Sequence, residues 1–326
     1  MALNDFAVSL DMINRHYSEP NRNRYESKYY WEELYTLINA AGFTRIELPF
    51  EPVWQFGGRS GVPMTQYCIN TKYGDIATYR AFLKASGIEA VTAVTFDPSL
   101  FARNNQLGFY FGATKHFALQ AIEFAAGLGA KFLVLSPSAA MGRLAHYHPE
   151  LASDNAAFIQ QLNSIVRDIA TTATSKGIKV LLKPEYWSVL SVNETVDLVK
   201  SMPEHLGLAC NTAHLQLADI DVLRFLEDTQ QFIEYVQLSD TQLSSATAFK
   251  ADANPAFPSH AATQVFCDVG TGALPLSSIL HQLVALKYTG DLVLCNHQTR
   301  DPNRALLRNR RFINQLTQPT LEVHHA

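Results

Sequence analysis

The chain has 326 residues, with 26 Lys+Arg against 30 Asp+Glu and a formal net charge of −4; 47% of it is hydrophobic and 17% charged. That composition excludes a disordered chain, and the mild acidity argues against a general nucleic-acid-binding surface, which needs an excess of basic residues. No stretch approaches the roughly 18 consecutive apolar residues of a membrane span, and the start, MALNDFAVSL, lacks a basic segment followed by a long apolar run, so a cytoplasmic protein is expected. In chain order, the strands expected from β-branched apolar runs are Phe6–Met12, Arg45–Phe50, Glu89–Phe96, Lys131–Pro137, Lys179–Glu185, Leu206–Asn211, Ile233–Asp240 and Asp291–Asn296. Helical spacing of apolar residues fills the gaps at Tyr30–Ala41, Ile76–Ala85, His116–Leu128, Asn155–Ser175, Val192–Ser201, Val222–Phe232, Pro275–Leu286 and Asn303–Gln315. Gly42, Gly129, Gly177 and Gly290 stand between a helix and the next strand, where a left-handed cap is expected.

Eight strands, each followed by a helix, predict one α/β domain over residues 1–326: a closed (β/α)8 TIM barrel with long loops at its C-terminal face. A doubly wound open sheet is the alternative, but no glycine-rich phosphate loop follows the first strand. The long insertions Asn14–Lys28, Glu51–Gly74, Asp97–Phe111, Ser138–Ser153 and Thr241–Val269 all follow strands, which in a barrel puts them on the catalytic face. Trp54, Arg143, His146, Tyr147 and His148 on these loops suit a polar, ring-shaped ligand. Cys68, Cys210, Cys267 and Cys295 are far apart with no CxxC pair and read as reduced thiols.

The segments AGFTRIELPF, AAGLGAKFLVLSPS, GIKVLLKPE, HLGLACNTAH, YVQLSD, DVGTGALPL and YTGDLVLCNH together make the chain resemble the xylose-isomerase-like barrels, the group of sugar isomerases and epimerases, inosose dehydratases and the apurinic endonuclease branch. The resemblance covers nearly the whole chain. It implies a carbohydrate ligand and, in most relatives, a divalent metal (Mn, Mg, Zn or Co) held by Glu, Asp, His and Glu from strands five to eight. At those positions this chain has Lys183, Asn211, Gln237 and Cys295. The formal charge of the set moves from about −3 to about +1. An ammonium about 4 Å from a divalent cation repels it by about 8 kcal/mol at an effective dielectric near 20. Asn and Gln are weak substitutes for carboxylates, and Cys suits softer metals. No metal or other cofactor is therefore expected at this set, unless Lys183 is neutral.

Lys183 is a candidate for the metal's electrostatic role, holding sugar oxygens and a developing enediolate. A lysine of depressed pKa could instead form a Schiff base, and a purely structural ion pair is a third reading. A second polar ring follows the strand ends: Glu185, His214, Asp240 and His297. Glu185, His214 and Asp240 are candidate acid/base groups, as is Glu47 on strand two, expected to point inward with Arg45 and Pro49 and to pair with Lys183. Asn211, Gln237, His297, Trp54 and Arg143 are candidate substrate contacts. A shifted metal on Glu185, His214, Asp240 and His297 is a minor alternative. Cys295 reads as a buried inert thiol.

Three functions compete: a metal-independent sugar isomerase or epimerase, a lyase or dehydratase acting on a keto-sugar or cyclitol, and a non-catalytic carbohydrate-binding relative. The endonuclease chemistry of one branch is not expected, because its metal ligands are missing. The expected partner is a small carbohydrate, with no nucleic acid and no membrane; homo-oligomerisation is left open. So is phosphorylation of the substrate, for which Gly270-Thr271-Gly272 is a weak phosphate-loop candidate.

Overall fold

The computed structural model describes residues 6–13, 24–52, 61–102, 106–137, 139–245, 264–297, 299 and 301–317. Its strands are β1 Phe6–Ser9, β2 Arg45–Pro49, β3 Ala90–Phe96, β4 Phe132–Leu135, β5 Lys179–Leu182, β6 Leu206–Asn211, β7 Ile233–Leu238 and β8 Asp291–Leu294. Each pairs in parallel with the next and β8 pairs with β1, which closes the barrel. The α-helices are α1 Lys28–Ala40, α2 Gln66–Tyr73, α3 Ile76–Ala85, α4 Leu107–Leu128, α5 Met141–Tyr147, α6 Ala156–Ser175, α7 Val192–Ser201, α8 Thr212–Leu217, α9 Val222–Thr229, α10 Leu276–Ala285 and α11 Pro302–Thr317. Among the described residues, no helix is long and apolar enough to cross a membrane.

The interior of the barrel is filled by side chains. Ala7, Ala93, Val134, Leu181, Ala209, Tyr235, Val293 and Cys295 form one buried cluster, the layered filling of a barrel rather than a pore. Tyr235 is the largest member; its hydroxyl is hydrogen-bonded to Thr92 Oγ1 at 2.7 Å, which satisfies the polar atom in an apolar layer. The outward faces of the strands and the apolar stripes of the helices make the larger core. Arg45 at the start of β2 pairs with Asp291 at the start of β8, away from the catalytic end, and stays partly exposed. Arg45 therefore belongs to the opposite end of the barrel from the group around Glu47.

Several expected boundaries shift. The helix expected from His116 begins at Leu107, because Gly108 and Gly112 interrupt the apolar pattern without breaking the turn. Helices α2 and α5 lie within segments read as long insertions, and α8 in a stretch given no element; short helices carry too few turns to show a period. Strand β5 ends at Leu182 and β7 at Leu238, so Lys183, Glu185 and Asp240 lie just beyond the strands. Gly42, Gly129 and Gly177 take left-handed φ values of 89°, 77° and 74° as expected, but before β8 that conformation falls on Lys287 at 54°. Gly290 serves a different need: a Cβ there would collide with the backbone oxygen of Glu234 on β7. Gly290→Ala should therefore cost about 1–3 kcal/mol, the usual scale of overpacking. Chemical denaturation measures this; an unchanged midpoint would show that β7 and β8 do not need the close approach.

Candidate active site

The C-terminal end of the barrel brings one cation and several carboxylates together out of water. Lys183 donates to Glu185 Oε1 at 2.8 Å, with side chains only 7% and 4% exposed. Glu185 is held by the loop it sits on: Ser188 N–H bonds to its carbonyl, Met141 N–H to the Trp187 carbonyl, and Val189 N–H to the Ala139 carbonyl. This stitches the loops after β4 and β5 together. The Lys183 N–H bonds to the Leu135 carbonyl on β4, extending the sheet by one residue.

Asn211 has two roles at once. It is the N-cap of α8, its Oδ1 accepting from the His214 N–H at 3.1 Å. A backbone N–H can only donate, so Oδ1 faces α8 and the amide nitrogen must face the barrel. That nitrogen donates to Gln237 Oε1 at 3.1 Å and lies 3.2 Å from His297 Nε2. Gln237 in turn donates to Glu47 Oε2 at 2.7 Å, and Ser9 Oγ donates to Glu47 Oε1 at 2.6 Å. Cys295 Sγ reaches Glu47 Oε1 at 3.9 Å. Glu47, Gln237 and Cys295 are wholly buried, whereas Lys183, Glu185 and His214 keep 4–6% exposure. The lysine group therefore borders the mouth and the Glu47 group lies beneath it.

Charge states follow from this arrangement. Burial alone would push the Lys183 ammonium down, but Glu185, Asp11 and Glu47 outweigh it and hold the pKa above the usual lysine value. Lys183 is thus a protonated cation, which disfavours the Schiff-base role. Burial raises Glu185 to about 7, against the pull of Lys183. Burial and then the Asp11 charge raise Glu47 to about 7, against hydrogen bonds from Ser9 and Gln237 and the Lys183 charge. His214 is pushed well below the usual value by burial and by Lys183, so it is neutral. Its Nε2 lies 3.9 Å from Glu185 Oε1, and its Nδ1 is buried without a hydrogen-bond partner among the described residues. The imidazole is flanked by Tyr186, Phe266 and His297 at ring separations of 5.4, 5.1 and 5.8 Å. His297 Nδ1 lies 3.7 Å from Asp11 Oδ2.

Several expectations change. The ion partner of Lys183 is Glu185, not Glu47, whose oxygens are taken by Ser9 and Gln237. Asp240 turns away to the loop before α10: Oδ1 accepts from Thr241 and Leu274 N–H, and Oδ2 from Gly270 and Gly272 N–H. Burial pushes its carboxyl up and these four amides oppose the rise. The shifted metal set of Glu185, His214, Asp240 and His297 is therefore not assembled; among the described residues no group of three or more His, Cys, Asp or Glu side chains is placed to hold a metal ion. The divalent metal of relatives does not fit the other set either. Lys183 is charged, Asn211 and Gln237 have spent their amides on each other and on their neighbours, and burial followed by the Glu47 charge holds the Cys295 thiol well above its usual pKa. Trp54 lies outside the described residues, and Arg143 lies on α5 with its side chain outside them. Ser9, Asp11, Ser136 and Asp97, which act on Glu47, Lys183 or Glu185, were not singled out in the sequence. The signal for two of them was polar Ser9 and Asp11 two apart at the end of an apolar strand.

The family model of the xylose isomerase-like TIM barrel matches residues 35–316, and the chain belongs to that family. The fold is shared with the 3-keto-D-glucoside 4-epimerase of E. coli, at 15% identity and a TM-score of 0.62 over 96% of this chain and 98% of that one. It is also shared with the D-psicose 3-epimerase of Clostridium cellulolyticum H10, solved with D-tagatose, at 14% identity and a TM-score of 0.63 over 97% and 100%. The probable 3-DHS dehydratase AsbF of Bacillus anthracis is similar at 11% identity and a TM-score of 0.66 over 95% and 98%. No curated protein matches the sequence.

The Glu47 charge state has a consequence for stability. A carboxyl whose folded pKa is raised from 4.5 to about 7 holds its proton longer in the folded state. The stability it contributes is complete below about pH 4.5 and is lost as pH rises through about 7. Glu47→Gln cannot titrate. Its melting temperature relative to wild type should rise by at least about 2 °C between about pH 5 and about pH 8. Thermal melts across this range check it; a constant difference would mean that Glu47 titrates as it does in the unfolded chain.

Proposed function

We propose that the protein is a sugar isomerase or epimerase that moves a proton next to a carbonyl with a buried lysine in the metal's place. The observation that carries the reading is the Lys183–Glu185 ion pair at the barrel mouth, with neutral His214 beside it. In the reaction, the ionised Glu185 takes the proton from the carbon next to a substrate carbonyl. The ammonium of Lys183 donates to the carbonyl oxygen and stabilises the negative charge that grows there. Return of the Glu185 proton to the neighbouring carbon, while the substrate hydroxyl proton passes through neutral His214 to the former carbonyl oxygen, interconverts aldose and ketose. Epimerisation takes a proton back to the same carbon on the other face, from a second donor on that side. Gln237 and Glu47 do not touch the substrate in this scheme; Asn211 orients Gln237, Gln237 donates to Glu47, and the Glu47 charge acts on Lys183.

The family membership and the epimerases among similar structures support the reaction class. The charged lysine, the amides already in use and the high-pKa thiol support metal independence.

Lys183→Met keeps most of the volume and removes the charge, so kcat on a responsive ketose or aldose should fall about a hundredfold or more. Because Lys183 lowers the Glu185 pKa, the same variant should move the rising limb of the pH–rate profile upward from about 7. Glu185→Gln should abolish solvent-deuterium incorporation into the sugar. Turnover of a panel of aldoses, ketoses and keto-inositols in D2O measures all three. Full turnover by Lys183→Met would make the lysine structural; loss of water from the substrate in place of isomerisation would favour a dehydratase; sugar binding without turnover would favour a binding protein.

A further inference from the structure

We propose that Asp11 is the second proton-transfer group of this site, standing across Lys183 from Glu185, so that the substrate is inverted at one carbon. The inference rests on the proton-transfer reading and deepens it by naming the group on the far face of the sugar.

Asp11 follows β1 and Glu185 follows β5, and in a closed ring of eight strands these are four places apart in either direction. Each carboxyl therefore enters the catalytic end from its own side. Local contacts fix the Asp11 side. Its N–H donates to Ser9 Oγ at 3.2 Å, and Ser9 in turn donates to Glu47 at 2.6 Å, so Asp11 stands on the mouth side of the buried Glu47. Lys183 reaches between the two sides. Burial lowers its pKa, and the charges that oppose this most are Glu185 first and Asp11 second. Burial also leads the shifts of both glutamates; beyond it, Glu185 is acted on by the charges of Lys183 and Asp97, whereas Glu47 is acted on by those of Asp11 and Lys183. Lys183 is the charge common to the two sides.

The hydrogen bonds set the tautomer beside Asp11. Asn211 Oδ1 is taken by the His214 N–H, so the amide nitrogen can only donate, and His297 Nε2 at 3.2 Å accepts from it. In its neutral form His297 then carries its proton on Nδ1, 3.7 Å from Asp11 Oδ2. That proton favours Asp11 in its ionised state. The other groups on this side are closed off from a substrate: Glu47 and Cys295 are wholly buried, and His297 has spent Nε2 on Asn211. Asp11, at 6% side-chain exposure, is about as open as Lys183 at 7% and Glu185 at 4%.

The step balances with one proton between the two carboxyls. Ionised Glu185 takes the proton from the carbon next to the carbonyl, and the C–H electron pair moves into the enediolate that Lys183 holds. Asp11, entering protonated, gives its proton to the opposite face of the same carbon as the carbonyl re-forms, and leaves ionised. Glu185 then loses its proton to water and Asp11 takes one from water; the reverse reaction uses the pair the other way round. One negative charge passes from Glu185 to the enediolate to Asp11, always against the Lys183 ammonium.

The test follows the hydrogen at the inverted carbon when wild type acts in D2O on D-fructose, D-tagatose and the rest of the panel of aldoses, ketoses and keto-inositols. At early conversion the epimer formed should carry solvent deuterium at that carbon, and the recovered substrate none, because the proton Glu185 takes is not the one Asp11 gives. Asp11→Asn should slow inversion about a hundredfold or more and still, through Glu185, place deuterium in the substrate with its configuration retained. An epimer that keeps the substrate's own hydrogen would overturn the inference, and so would inversion at full rate by Asp11→Asn; the labelling of wild type does not need the variant to fold. Exchange or aldose–ketose interconversion without inversion would overturn it and leave the isomerase reading standing. Absence of exchange with every sugar of the panel would sink that reading, and the inference with it.

Discussion

A lysine ammonium shut inside a closed barrel must be paired, and the catalytic end of this protein is arranged around that requirement. An unpaired buried charge costs several kcal/mol or shifts its pKa until it is neutral. Lys183 does neither, because Glu185 contacts it and Asp11 and Glu47 lie close enough to add their charges. Burial then raises Glu47 and Glu185, with the Asp11 charge adding to the rise on Glu47 and the Asp97 charge to that on Glu185, while Lys183 opposes both. A carboxyl poised near neutrality is what proton transfer next to a carbonyl requires. On the proposed reading, the same burial that makes the site expensive to fold supplies its base.

Below the lysine, a single backbone group sets the direction of a series of hydrogen bonds. The His214 N–H fixes the Asn211 amide, Asn211 fixes Gln237, and Gln237 presents a donor to Glu47. A carboxylate at the Asn211 position could cap α8 as well, but it could not donate to Gln237. Asn211 and Gln237 thus join α8, β6, β7 and Glu47 through directional hydrogen bonds at the end of the barrel.

Much of the barrel was legible because its physics is local. Alternating short apolar strands and amphipathic helices mark βα repeats, and every expected strand is present with its neighbours in order. Asn211 and Gln237 meet because they stand opposite each other on β6 and β7. What the sequence did not show were choices between partners. Glu47 and Glu185 are both plausible mates for Lys183 in one dimension; only the loop stitched by Ser188, Met141 and Val189 brings Glu185 to it. Asp240 looks like a catalytic carboxylate from its place after β7, yet glycine amides some thirty residues later claim it. Ser9 and Asp11 escaped notice because a short polar pair at a strand end has no distinctive spacing. Short helices such as α8 escaped because one turn and a half carries no period.

Lys183 stands where the family resemblance implies a divalent ion, and metal content combined with chelation tests its role most directly. The purified protein should contain well under one equivalent of Mn, Mg, Zn or Co by elemental analysis. Its turnover of a responsive sugar should survive prolonged treatment with a strong chelator and should not rise when these metals are restored. A stoichiometric metal whose removal abolishes turnover and whose return recovers it would contradict the account.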